Sequence, residues 1–422
     1  MCASPNCYGP YDFETYGGAR QEDYRTAFQV DRDRIIYFPA FRRLQAKTQV
    51  FLPGEYDFYR TRLTHSIEVA QIGRSITGYL RAQDPRLRSG GGADPDLIEA
   101  VCLAHDLGHP PFGHIGEREL NRLLQPWGGF EGNAQTLRLL TETAYEREAS
   151  NRGMKPTRAL LDGVMKYKRL HGELPEDRRD HHFLYDEQEP VRRFTHAGAE
   201  PAMAPADPFP KSLECQIMDW ADDTAYSLHD IVDGVRAGFI SIESLRRWQD
   251  SVQLETDQLE WFEKLITHIS DGDLEVAVAT KVGRFVQACS LEESSGPLSN
   301  LTVRHAWRLL VREDVQRECR LYKQIAVDLI FRSHRIQEIE FKGRLILRSL
   351  FEAFSETAMS STQSKALAIL PPTVKRRVEE SSDERGRMRA VADHLASMTD
   401  GHALRTYKRL FDPDFRSLTE IT

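Results

Sequence analysis

The run PDLIEAVCLAHDLGHPPFGHIGE, residues 95–117, joins two different kinds of sequence. Its first ten residues are almost wholly apolar. Those that follow crowd three histidines, an aspartate and a glutamate around Gly108, Pro110, Pro111 and Gly113. The pattern predicts a helix with Asp94 as N-cap and Pro95 in the first helical position, stopping at Gly108 and the two prolines. His105 follows Val101 by four and Ile98 by seven, so it leaves this helix on the buried side. Asp106 projects about 100° further round. A buried imidazole beside a buried carboxylate is costly unless something replaces the lost hydration. A divalent cation does so, and a mixed nitrogen and oxygen set suits Mn, Fe, Co, Ni or Zn, with Mg also admissible. The alternative is a solvated, histidine-rich loop, and the rest of the chain has to separate the two.

Apolar residues recur at helical spacing through most of the remaining sequence, and alternating runs are few. From Thr61, TRLTHSIEVAQIGRSITGYLRAQ is expected to form an amphipathic helix with Leu63, Ile67, Ala70 and Leu80 near one face. LECQIMDWADDTAYSLHDIVDG predicts a long helix ending near Gly234. Between roughly 170 and 212 the composition shifts to Pro, Asp, Glu and His, which points to a long loop or flexible insertion. Beyond 236 the pattern is helical again, and RVEESSDERGRMR (377–389) is expected to be a solvated helix face. The fold class is therefore mainly α. Three regions are expected: an N-terminal segment 1–59, a core domain 60–235 containing the 170–212 insertion, and a helical C-terminal region 236–422.

With 422 residues, 40 % hydrophobic and 28 % charged, the chain can bury a substantial core. No run reaches the roughly 18 apolar residues of a membrane span, and the N-terminus lacks the basic start and apolar stretch of a signal peptide. Six scattered cysteines without a CxxC pair predict reduced, buried thiols at Cys102 and Cys215 and a cytoplasmic protein. A net charge of −8 argues against a generally basic nucleic-acid surface. It leaves room for an anionic small molecule, because local arginines and a metal reverse the potential inside a cleft.

The segments DRDRIIYFPAFRRLQAKTQVF (31–51), RLTHSIEVA (62–70), HDLGHPPFGHIGE (105–117), FEGNAQTLRLLT (130–141) and LECQIMDWADDTAYSLHD (213–230) occur in this order. Together they resemble the HD superfamily of metal-dependent phosphohydrolases, and within it the deoxynucleoside triphosphate triphosphohydrolases. VADHLASMTDGHAL (391–404) is similar to a weaker element of that family. The resemblance implies an HD-domain helical core with a helical C-terminal extension, and His65, His105, Asp106 and Asp222 as ligands of a divalent metal (Mn, Mg, Co, Fe, Ni or Zn). Asp219 and Asp223 are rivals for the last place; Asp222 is favoured because Tyr226 and Asp230 follow it at i+4 and i+8 on one helical face. It implies His114 and Glu117 as a catalytic pair, the glutamate hydrogen-bonded to the imidazole. It also implies substrate contacts from Gln49, Arg62, His109, Asn133, Lys166, Tyr167, Tyr226 and Asp230.

The implied activity is hydrolysis of dNTP, dGTP or several, to deoxynucleoside and inorganic triphosphate. The alternatives are a nucleotidase or phosphodiesterase on other nucleotides, and a nucleotide-sensing or single-stranded-DNA-binding protein with a degenerate site. Homo-oligomers, often hexamers, and a dNTP activator or single-stranded nucleic acid are the further partners implied, with no membrane. Two departures stand out. Asp223 occupies the place where the vertebrate relative has a lysine, and His394 the place where bacterial relatives more often carry a tyrosine.

Overall fold

Residues 95–104 form a helix buried on nearly every side, because Leu97, Ile98, Ala100, Val101, Cys102, Leu103 and Ala104 leave it no continuous polar face. The computed structural model describes residues 8–50, 60–88, 92–145, 153–198, 209–360 and 369–415. In chain order it runs α1 (Ala27–Tyr37), α2 (Arg62–Gln83), α3 (Pro95–Ala104), α4 (Gly113–Leu124), α5 (Gly132–Arg138), α6 (Arg158–Val164), α7 (Glu189–Thr195) and α8 (Leu213–Arg236). It continues through α9 (Ile242–Gln249), α10 (Thr256–Asp271), α11 (Leu274–Gln287), α12 (Glu313–Ala326), α13 (His334–Met359), α14 (Pro372–Glu380), α15 (Glu384–Ser397) and α16 (Asp400–Phe411). The fold is mainly α, as expected. A small antiparallel hairpin, β1 (Cys289–Glu293) with β2 (Trp307–Val311), places Leu291 opposite Leu309; these two short runs are too brief for their period to stand out from helix.

Helices α1, α2, α6 and α8 pack around α3. Asp94 caps α3 as predicted, its carboxylate accepting from the backbone N–H of Asp96 at 2.8 Å and Leu97 at 3.3 Å. Close packing of α2 on α3 depends on Gly73, where a Cβ would stand 2.8 Å from Cys102 Sγ. Cys102 and Cys215 are free and buried. The inward face of α2 matches the expected one at Ala70 and Leu80, which are buried, but not at Ile67. His65, Val69, Ile72, Ile76 and Leu80 form the buried stripe, while Ile67 is 50 % exposed. The true stripe starts on a histidine and passes Ser66, Gly73 and Thr77, all buried, so apolar residues alone mislocated it.

Two further expectations are corrected. The stretch from 170 to 198 is anchored at its ends while 172–182 is mostly exposed: Leu170 bridges Leu184, Phe183, Leu184 and Tyr185 are buried, and Glu189–Thr195 is helical. Residues 199–208 of that predicted loop lie outside the described residues. The charge run 377–389 covers the end of α14, a three-residue break at 381–383 and the start of α15. Arg389 is buried, stacks 3.5 Å from the Tyr185 ring centroid and donates to Glu187 at 2.8 Å; Arg385 donates to Asp186 at 2.7 Å. These arginines clamp the insertion, so the run is only partly a solvated face.

Apolar side chains gather in two main cores. The larger surrounds α3 and α8 and extends to α10 and α12. The second is built from Leu120 and Leu124 of α4 with Leu347, Leu350 and Phe354 of α13, Val374 and Val378 of α14, and Val391 and Leu395 of α15. The helix that carries His114 and Glu117 is therefore seated on the C-terminal helices, while His65, His105 and Asp222 stand on elements of the first core. The HDLGH turn joins the two.

Candidate active site

Helices α2 and α8 pack against each other and against α3. That brings one residue from each element together: His65 from the first turn of α2, His105 at the end of α3, and Asp222 from the middle of α8. Their ligand-bearing atoms all lie within 4.8 Å of one another. His65 Nε2 is 3.1 Å from Asp222 Oδ1, and His105 Nε2 is 3.8 Å from the same oxygen. The tautomer of His105 is set from behind, its Nδ1 lying 2.6 Å from the Cys102 carbonyl oxygen. Its Nε2 faces the cluster, buried and without a hydrogen-bond partner. A buried nitrogen lone pair aimed at two other donors is the arrangement a cation would satisfy.

Asp106 adjoins this group, Oδ1 lying 3.4 Å from His105 Nε2 and 3.1 Å from His109 Nδ1. Burial alone would raise its carboxyl pKa, but Arg62, His105 and His109 outweigh burial and hold it well below the usual carboxylate range. Arg62, the expected phosphate contact, is 1 % exposed. It donates to Asp106 Oδ2 at 2.6 Å and to the Thr48 carbonyl at 3.1 Å. In this structure it positions Asp106. Of the three aspartates of DWADD, only Asp222 faces the histidines: Asp219 pairs with Lys166 and Lys211, and Asp223 with Lys323.

The second group is His109, His114 and Glu117, again with ligand-bearing atoms within 4.8 Å. The rings of His109 and His114 meet edge to face at 5.5 Å. Glu117 makes no direct hydrogen bond to His114, contrary to expectation; its Oε1 accepts the Gly132 backbone N–H at 2.6 Å, at the start of α5. His114 is exposed at the mouth of the site. The surrounding protein and the neighbouring His109 still depress its imidazole pKa to about 4, so it is neutral at pH 7. The contact of α5 with the HDLGH turn depends on Gly108, where a Cβ would fall 2.1 Å from Gly132 O and 2.3 Å from Thr136 N. Gly108→Ala is expected to force these backbones apart, at a cost of about 3 kcal/mol. An unchanged urea midpoint would contradict the contact.

Lys166 lies 2.8 Å from Asp219 Oδ1, and Tyr167 stacks on His182 at 4.0 Å. Tyr226 stacks on Phe331 at 6.0 Å. Asp230 is buried and its Oδ2 has no partner; burial pushes its carboxyl up to about 8. Gln49 Oε1 is likewise buried without a partner. Asn133 donates to Glu131 Oε1 at 2.8 Å.

Several residues around the site were not singled out from the sequence. Asp400, within the late VADHLASMTDGHAL element, accepts from the backbone N–H of Thr48 and of Phe112, each at 3.0 Å. Phe112 is held at φ 64°, a left-handed conformation unusual for a bulky side chain. Asp393 of the same element accepts from Arg138 and Gln135, each at 2.9 Å. Lys47 Nζ donates to the His109 carbonyl at 2.6 Å and the Ala396 carbonyl at 2.8 Å. Buried Glu131 is raised to about 8 by burial and by Glu117. Their place in the family element 391–404 was the signal for Asp393 and Asp400, and their partners are hundreds of residues away.

A helical frame that brings an adjacent His-Asp pair to a distant histidine and a distant aspartate is that of an HD domain. The HD domain profile matches residues 62–227, and the phosphohydrolase-associated domain profile matches residues 309–409. The deoxyguanosinetriphosphate triphosphohydrolase-like protein of Shewanella loihica is 36 % identical over 95 % of this chain and 96 % of its own length. The proteins of that name from Streptomyces coelicolor and Vibrio campbellii are 36 % and 33 % identical, over 97 % and 93 % of the chain and 98 % and 94 % of their own lengths. The chain belongs to the deoxyguanosinetriphosphate triphosphohydrolase-like family of HD-domain proteins. No helix among the described residues is long and apolar enough to cross a membrane.

Proposed function

We propose that the protein hydrolyses deoxynucleoside triphosphates to deoxynucleoside and inorganic triphosphate, with a divalent cation held by His65, His105, Asp106 and Asp222. The observation that carries this reading is the unpartnered Nε2 of His105, aimed at His65 and Asp222 beside a second cluster of His109, His114 and Glu117. Two imidazoles and two carboxylates favour Mn, Fe, Co, Ni or Zn over Mg. When bound, the cation supplies Lewis-acid polarisation and charge compensation for the phosphates.

The protein groups supply the rest. Water attacks the α-phosphorus, the bond to the 5′-oxygen breaks, and that oxygen leaves on the nucleoside with a proton, while triphosphate departs intact. His114 is accessible and its neutral form can take a proton from the attacking water and, once cationic, pass it to the leaving 5′-oxygen. Glu117, fixed by the Gly132 N–H, lies where it favours the cationic form of His114 as a proton arrives. Gln49 Oε1 and Asp230 Oδ2 are buried acceptors lacking donors, and the sugar 3′-hydroxyl would satisfy one of them. Lys166 and Lys211, converging on Asp219, bring positive charge toward the phosphates.

Product analysis tests the assignment. Each dNTP with Mn or Mg is expected to yield nucleoside and tripolyphosphate; release of orthophosphate or nucleoside monophosphate would overturn it. The choice among aspartates is tested by metal content. Asp222→Ala is expected to lose the bound cation, whereas Asp219→Ala retains it and raises KM through the displaced lysines. The opposite pattern would move the ligand to Asp219.

A further inference from the structure

The turn between α3 and α4 cannot be held by its own backbone. Pro110 and Pro111 have no N–H to donate, and Phe112, at the N-cap of α4, receives no cap from its own side chain. Phe112 and Gly113 nevertheless both sit in the left-handed region, at φ 64° and 60°. For phenylalanine that conformation is costly and persists only where the surroundings impose it. His114 comes next, so the direction in which its imidazole leaves α4 depends on this strained pair. The constraint comes from distant segments. One carboxylate oxygen of Asp400, at the start of α16, accepts the Phe112 N–H at 3.0 Å, and the other accepts the Thr48 N–H at 3.0 Å. Thr48 offers its carbonyl to Arg62 at 3.1 Å, and Arg62 holds Asp106 at 2.6 Å. From Asp106 the chain returns through the turn to Phe112, so these bonds close a ring that contains a proposed metal ligand and ends beside His114. On the other side the Phe112 ring fits a notch in α13 at Gly343, where a Cβ would stand 2.8 Å from its Cγ.

We propose that Asp400 is a positioning residue for His114, an assignment that rests on the function proposed above. Its carboxylate, working against the Gly343 notch, keeps Phe112 and Gly113 in the conformation that aims the imidazole at the reacting centre, and it ties that aim to the placement of Asp106. Asp400 is 6 % exposed and both its oxygens are engaged by these donors, so it acts through the turn. Hydrogen bonds from N–H groups to an ionised carboxylate are shorter and stronger than neutral ones, which suits an anchor that must hold a strained backbone. Positioning of this kind matters because a proton-transfer group displaced by about 1 Å loses on the order of a hundredfold in rate. The C-terminal helices thereby take part in the chemistry from behind the turn.

The test is a double-mutant cycle on the full chain with manganese, using the dNTP that wild type turns over fastest. Asp400→Asn and Gly343→Ala are each made alone and in combination with His114→Ala. The amide of Asp400→Asn keeps the size but offers one acceptor oxygen where two N–H groups need one each, while the methyl group of Gly343→Ala pushes the Phe112 ring from the opposite side. Each single variant is expected to lower kcat about 10- to 100-fold, with KM within about threefold and metal content as in wild type. In the His114→Ala background the same substitutions are expected to change kcat by less than about threefold, because the imidazole whose aim they spoil is gone. A merely structural role would instead multiply with His114→Ala. An unchanged kcat in the single variants, or losses that multiply in full, overturns the proposal. Should Asp400→Asn fail to fold, Gly343→Ala carries the cycle by itself. Wild type without dNTP turnover would strike the proposed function and this assignment with it, whereas an active wild type with multiplying losses strikes the assignment only.

Discussion

Asp106→Ala is expected to lower dNTP turnover by about a thousandfold or more, equivalent to roughly 4 kcal/mol of transition-state stabilisation. The same substitution is expected to destabilise the fold. Asp106 Oδ2 accepts from Arg62 at 2.6 Å, and Arg62 is 1 % exposed, so truncation leaves a buried cation facing only the Thr48 carbonyl. Breaking a buried pair from one side costs about 3–5 kcal/mol, because desolvation of the survivor is no longer compensated. Asp222→Ala separates the two effects. Its carboxylate is 25 % exposed and faces His65 and His105 rather than a buried guanidinium, so its removal strands no obligate cation, and metal and turnover are expected to fall with a smaller change in melting temperature. Metal content, turnover and thermal unfolding measured together decide the matter. An Asp106→Ala protein that retained stoichiometric metal and activity would remove this residue from the site.

Arg304→Ala is expected to be the most damaging substitution away from the site, lowering stability by about 3–5 kcal/mol and the melting temperature by roughly 5–10 °C. Arg304 is 1 % exposed and donates to Glu214 at 2.9 Å, Asp12 at 3.2 Å and Asp162 at 3.1 Å. Its removal would leave three buried carboxylates with too few donors. Lys168 at 2.6 Å and His305 at 2.7 Å remain on Asp162, but Glu214 keeps only the Tyr8 hydroxyl and Asp12 keeps Thr302 and its own turn. One side chain thus ties the N-terminal turn, α6, α8 and the β1–β2 connection into one body. Burial alone would raise the Asp162 carboxyl, yet Lys168, His305 and Arg304 hold it well below the ordinary range. Its stabilising contribution is therefore complete above about pH 4 and is lost only as pH falls through the depressed folded value. Arg304→Lys would not restore three partners, since one ammonium lacks the planar fork that spans them. An Arg304→Ala melting curve overlying that of wild type would contradict this account.

Local sequence was informative wherever a residue's role depends on its near neighbours. The N-cap of α3, the buried side of His105, the predominantly helical class and the choice of Asp222 from its i+4 and i+8 companions all rest on spacing within one helix. It misled where burial is decided by what packs opposite. The inward stripe of α2 begins at His65 and passes polar and small residues, so counting apolar ones placed Ile67 inside. The run 377–389, expected to be solvated, contains Arg389, which is buried on Tyr185, and Arg62 bonds Asp106, a partner no local spacing points to. None of these partners is within one element of the residue concerned.

Sequence alone therefore determined the helical class, the metal-competent residue types and their order along the chain, because helix periodicity and capping act over a few residues. Only the tertiary structure decided that the HDLGH turn spans two hydrophobic cores and that Asp400 and Lys47 hold the turn from opposite ends of the chain. Those features are set by long-range burial and charge pairing, which depend on contacts between segments that no local period encodes.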